Sequence, residues 1–72
     1  MMEDIKFMYE KYKGYGIQTG WNNNTTGFDF RIYDPAGKTI GMNELSYFYE
    51  DNAMAAAKQA VDTMLEELNQ QP

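Results

Sequence analysis

The sequence predicts an α+β fold. The expected form is a three-stranded antiparallel meander, four-stranded if one further segment joins, with a single C-terminal helix packed on one face (β-β-β-α). Three observations carry this expectation. From Asp51 to Asn69 strong helix formers dominate, and Ala53, Ala57, Ala60, Val61, Met64, Leu65 and Leu68 recur at three- and four-residue steps. Upstream, Phe28, Phe30 and Ile32 alternate with Asp29, Arg31 and Tyr33, the two-residue period of a half-buried strand. Between that strand and Lys38–Met42, Asp34-Pro35-Ala36-Gly37 has the Pro and Gly placement of a type I turn, so the two runs form a hairpin.

The remaining elements follow in chain order. Residues 2–12 read two ways: Met2, Ile5, Met8, Tyr9 and Tyr12 suit a short helix, whereas Ile5, Phe7 and Tyr9 alternate as a strand, and the strand or an irregular run into the next element is preferred. Tyr15, Ile17, Thr19 and Trp21 alternate with Gly16, Gln18 and Gly20, giving the first strand of the meander. The polar run Asn22–Gly27 is a turn former joining it to the next strand. Ser46–Tyr49 is a fourth short strand or the approach to the helix. Asp51 is the expected N-cap, and Glu50 and Asp51 suit the positive end of the helix dipole. Lys58, Asp62 and Glu66 step by four along the face opposite the apolar stripe. That stripe begins with alanine, so the helix approaches its partner closely and the aromatics beneath supply the bulk.

Composition narrows the function. The 72 residues suffice for one domain with a marginal core. The chain lacks cysteine and histidine, which removes disulfides, thiolate zinc sites, thiol nucleophiles and the usual proton shuttle. Ser46 is the one serine, so no nucleophilic triad is available. Carboxylate pairs such as Glu50 with Asp51, or Asp62 with Glu66, have no evident pocket to raise a pKa and read as solvated helix charges. A calcium loop over Asn22–Tyr33 fails, because its first position is Asn and its twelfth, where a bidentate Glu belongs, is Tyr33. Sequons at Asn23 and Asn24 matter only in a secreted protein. No apolar run reaches membrane-spanning length, no export signal opens the chain, and a cytoplasmic location is expected.

Charge is unevenly placed. It cancels over residues 1–38, and the whole net charge of −5 falls in residues 39–72. A phosphate backbone repels such a chain, so direct nucleic-acid binding is not expected. FDFRIY, a turn, KTIGM and then an alanine-rich helix resemble the β-β-β-α part of the double-stranded-RNA-binding domain over roughly residues 15–68, with Ala53, Ala56, Ala57, Ala60 and Val61 on that family's small and apolar helix positions. The resemblance implies the fold but not the activity. Glu50, Asp51, Asn52 and Met54 stand where the family has phosphate-binding lysines, and Asn22–Gly27 replaces its Gly-Pro and histidine loop.

Aromatics make up 15% of the chain, more than one helix-covered face can absorb. Tyr, Trp and Arg are the residue types enriched at protein interfaces. Tyr15, Trp21, Arg31 and Tyr33 are therefore the interface candidates; the alternative is that they rim the small core with their polar tips in water. The expected function is a small acidic, non-enzymatic protein-interaction module without cofactor or metal. It is expected to self-associate as a homodimer through its open sheet face or an edge strand. A second reading is an inhibitor of a nucleic-acid-binding defence complex, resembling phage-encoded anti-CRISPR proteins, acting through Glu50, Asp51, Asp62, Glu66 and Glu67 on the acidic helix. A third is an RNA-binding-domain-like protein that has lost RNA binding.

Overall fold

The structure is a computed structural model that describes residues 7–69. Four strands and one helix follow in order: β1 (Phe7–Tyr12), β2 (Tyr15–Asn22), β3 (Gly27–Tyr33), β4 (Thr39–Met42) and α1 (Glu50–Asn69). The strands form one antiparallel sheet in sequence order. This is the expected α+β arrangement in its four-stranded form, but the extra strand comes from the N-terminal stretch. Residues 7–12 are strand rather than helix; Met2 and Ile5, which entered that choice, lie outside the described residues. The other candidate, Ser46–Tyr49, contributes a single bridge, Tyr47 exchanging both backbone hydrogen bonds with Phe28 at 2.7 and 2.8 Å.

β1 joins β2 through Lys13 and Gly14, both with positive φ (53° and 87°), the backbone of a two-residue type I′ turn. Lysine at the first position pays the left-handed cost that Asn or Asp would bear more easily. β3 and β4 meet across the expected turn. Gly37 N–H donates to Asp34 C=O at 2.8 Å, Gly37 takes φ 92°, and Asp34 Oδ1 accepts from the N–H groups of Ala36 and Lys38. The register then slips by a bulge between Ile32 and Tyr33. Past Met42 the Asn43 side chain takes over from the backbone, its Oδ1 accepting from Phe30 N–H at 2.9 Å.

α1 lies across β2 and β3 on one face. The buried core is Ile17, Phe30, Ile32, Ala53, Met54, Ala57 and Val61. Ala53 and Ala57 are fully buried, so the helix does sit close, over β-strand side chains that supply the volume. The stripe is narrower than its spacing suggests: Ala60 and Leu68 are exposed and Met54 is buried instead. Helix initiation also differs, by two residues at the N-cap. Tyr49 C=O accepts from Asn52 and Ala53 N–H, which makes Tyr49 rather than Asp51 the N-cap and places Glu50 in the first turn. Glu50 then reaches under the helix, its Oε2 accepting from the Oγ1 of fully buried Thr19 at 2.8 Å.

Gly27 marks where the connection to α1 crosses the sheet. A Cβ there would lie 2.7 Å from Ser46 Cβ and 3.0 Å from Tyr47 O, and that carbonyl is held by Phe28 N–H. Only glycine lets β3 begin so close to this strap.

Candidate functional site

The face of the sheet away from α1 is bare among the described residues. Strand register orders it in cross-strand rows. One runs Tyr9, Gln18, Arg31, Met42, and the next Lys11, Gly16, Tyr33, Thr39. Gly20 and Asp29 begin a third. Glycine on alternate positions of β2 leaves the middle of this face low. Tyr9 occupies part of the space: a Cβ on Gly16 would overlap its hydroxyl and lie 2.9 Å from Cζ. Tyr33 leans the other way and donates its hydroxyl to Gln18 Oε1 at 3.0 Å. Tyr9 thus covers Gly16, and an open depression of about 360 Å³ is lined by Gln18, Gly20, Trp21, Asn22, Asp29 and Arg31. It is exposed along its length, whereas small-molecule sites enclose most of their ligand.

Charge on this face is mainly positive. Lys11 and Arg31 are exposed, and neither makes an ion pair among the described residues. The one carboxylate among its described residues, Asp29, is committed to its neighbours. It accepts from Asn22 Nδ2 at 2.7 Å, Asn43 Nδ2 at 2.9 Å and Ser46 Oγ at 2.5 Å. The Ser46 bond, then the Asn43 bond, hold its carboxyl below the ordinary aspartate value, with lesser help from Asn22 and Arg31. Ser46 Oγ also meets Thr25 Oγ1 at 2.6 Å, so one carboxylate ties the β2–β3 loop to the segment that leads into α1.

The four interface candidates divide between the two faces. Arg31 and Tyr33 lie on the open face. Tyr15 and Trp21 are on the helix side by register: Tyr15 packs against the core, and Trp21 lies edge-on to Phe28 at 5.2 Å and donates its indole N–H to Asn23 Oδ1. Trp21 is 46% exposed, at the margin of the helix-covered face, where it and Arg31 both border the open depression. Tyr9, Lys11 and Gln18, which composition alone did not single out, complete the open surface.

The acidic candidates divide as well. Asp51, Glu66 and Glu67 are exposed on α1. Glu50 is bonded to Thr19, and Asp62, though partly in solvent, is turned towards β1 and the turn after it. Asp62 accepts from Tyr12 Oη at 3.0 and 3.1 Å and from Lys13 Nζ at 2.8 Å. Lys58 pairs with Glu10 at 2.7 Å, so two of the three residues expected on the outer face instead flank β1. The Lys13 hydrogen bond lowers the Asp62 pKa and the same bond raises that of Lys13. A general acid needs the opposite shift of its carboxyl. The pair is largely exposed, so it orients the β1–β2 turn more than it stabilises the fold.

Among the described residues no group of three or more metal-ligating side chains converges, and no helix is long and apolar enough to cross a membrane. Comparison with protein-family models, curated proteins and solved structures gave no match. The likeness to the double-stranded-RNA-binding domain therefore rests on the order of elements alone. At the positions corresponding to its phosphate-binding lysines, Glu50 is hydrogen-bonded to the sheet and Met54 is buried.

Proposed function

We propose that this protein is a non-enzymatic protein-interaction module that engages its partner through the open sheet face. The observation that carries the reading is the row Tyr9–Gln18–Arg31–Met42 with Lys11 and Tyr33 beside it: rings, a guanidinium with no ion pair among the described residues and an exposed thioether on a surface that no other described segment covers. These are the side chains that supply hot spots when desolvated. Among the described residues Lys11 and Arg31 make no ion pair and the one carboxylate on this face is already satisfied, which favours a partner surface bearing carboxylates. Arg31 is the group best shaped to take one in bidentate fashion.

The test is quantitative affinity capture from the source cell with three baits. Wild-type protein is expected to retain a defined protein set. Arg31→Glu combined with Tyr33→Ala is expected to lose it by about tenfold or more, since two hot-spot side chains are removed and one charge reversed. Leu68→Ala, on the far end of α1, is expected to retain it. Equal recovery by all three baits, or no enrichment by the wild type, contradicts the reading.

A further inference from the structure

Charge in this protein is sorted by face. Among the described residues Lys13 and Lys58 are paired along the β1 flank of α1, and the exposed carboxylates Glu44, Asp51, Glu66 and Glu67 stand on α1 or on the segment that leads to it. The open face holds Lys11 and Arg31, together with Asp29, whose two oxygens already accept three side-chain hydrogen bonds. Gln18 and Arg31 are direct cross-strand partners on β2 and β3, so their side chains rise side by side from this face. Tyr33 donates its hydroxyl to Gln18 Oε1 at 3.0 Å, which leaves the Nε2 donors of that amide without a partner among the described residues. The Arg31 guanidinium has no ion pair there either. Beside the pair, Gly20 has no side chain to fill the depression. The other donors at its rim are taken, Asn22 Nδ2 by Asp29 and the Trp21 indole N–H by Asn23. What the depression offers a ligand is therefore hydrogen-bond donors from Gln18 and Arg31, with one positive charge.

We propose that Gln18 and Arg31 form a carboxylate subsite, which takes an Asp or Glu side chain projecting from the protein partner. This deepens the open-face reading and rests on it. An amide and a guanidinium side by side present N–H donors to both oxygens of one carboxylate, and charge-assisted bonds of that kind are the strong ones. Tyr33 is a positioning residue: its hydroxyl occupies the amide oxygen, so Nε2 rather than Oε1 meets the ligand. Asp29 is close enough for Arg31 to act on its pKa, but no nitrogen–oxygen distance between them reaches ion-pair length, so the guanidinium stays available. Two features select a single carboxylate over a phosphate backbone. The face offers two cations rather than the stripe a polyanion requires, and the chain as a whole carries −5. The depression is also open, which suits a side chain held by a surrounding interface and not a free small molecule.

Titration of the nitrogen-15-labelled full chain at low salt tests the subsite, read at the Gln18 side-chain amide and the Arg31 Nε–H signals. The probes are blocked tetraglutamate, blocked tetraglutamine and inorganic phosphate. Tetraglutamate is expected to move both signals saturably, and the other two probes to leave them in place. Arg31→Gln is expected to abolish the response. Gln18→Leu and Tyr33→Phe each remove one ordinary hydrogen bond and are expected to weaken binding by about threefold or more. All three side chains lie on an exposed face, and a dispersed amide spectrum checks that each variant folds. Absence of a saturable shift, an equal response to tetraglutamine or phosphate, or unchanged affinity in both Gln18→Leu and Tyr33→Phe overturns the proposal. Failure here is distinct from failure of the open-face reading. A partner captured through Arg31 and Tyr33, with tetraglutamate leaving Gln18 and Arg31 unmoved, overturns the subsite alone; capture indifferent to those two residues overturns the reading beneath it.

Discussion

Replacing Ile17 by Ala is expected to remove a large share of this protein's stability. Ile17 is fully buried at the centre of the sheet, paired with Ile32 on β3 and covered by α1. Losing a buried isoleucine side chain costs about 2–5 kcal/mol, and the upper part of that range applies where neighbours cannot close the cavity. Here they cannot. Two of the four buried helix residues, Ala53 and Ala57, have no side-chain length to extend, and α1 is held to the sheet by Glu50 to Thr19 and by Asp62 to Tyr12. A domain of this length holds about 4–11 kcal/mol in total. One substitution therefore removes a large share of the stability. Urea denaturation followed by circular dichroism measures it. A midpoint close to wild type would mean that α1 does not rest on β2.

The second large effect is expected at Asp29. Its carboxylate gathers three side-chain donors from two segments, and Asn43 in turn holds Phe30 N–H and Leu45 C=O. Asp29→Ala frees the β2–β3 loop and the strap before α1 together. Hydrogen bonds to a charged group are individually worth about 1.5–3 kcal/mol, and water replaces part of each at this half-exposed site, so the net loss is about 2–3 kcal/mol at neutral pH. The pH dependence identifies the cause. Folding lowers the Asp29 pKa, so the unfolded chain binds the proton more tightly. Its contribution is complete above the unfolded aspartate value of about 4 and fades as pH falls through the folded value. Asp62 is shifted in the same direction and adds to this acid limb. Asp29→Ala should accordingly be less stable than wild type at pH 7 and converge on it in acid. A constant difference across the whole range would show that the site acts by packing alone.

Much of the fold was legible in the sequence because period and turn chemistry agreed. The alternation of Phe28, Phe30 and Ile32, and the Asp34–Gly37 turn, fixed the β3–β4 hairpin, while the alanine-led stripe fixed α1. What was hidden depended on single residues. Lys13 disguises a type I′ turn that Asn or Asp at that position would advertise, so the strand or irregular run preferred for residues 2–12 carries no alignment with β2. That alignment is what brings Tyr9 and Lys11 beside Gln18 and Arg31. Without it, Tyr15 and Trp21 could be grouped with Arg31 and Tyr33 by residue type, although odd positions of β2 and odd positions of β3 point to opposite faces once Trp21 pairs with Phe28. The commitment of Glu50 and Asp62 to the sheet was likewise invisible, because Thr19 and Tyr12 are 31 and 50 residues away along the chain.

These placements separate the two surfaces on which function could rest: an open face with Lys11, Arg31 and two tyrosines, and an outer helix face with Asp51, Glu66 and Glu67. Amide chemical-shift mapping with a captured partner distinguishes them directly. Perturbations confined to Tyr9, Lys11, Gln18, Arg31, Tyr33 and their β-strand neighbours are the predicted result. Perturbations centred on Asp51, Glu66 and Glu67, with the β-strand amides unmoved, would contradict it and assign binding to the acidic helix.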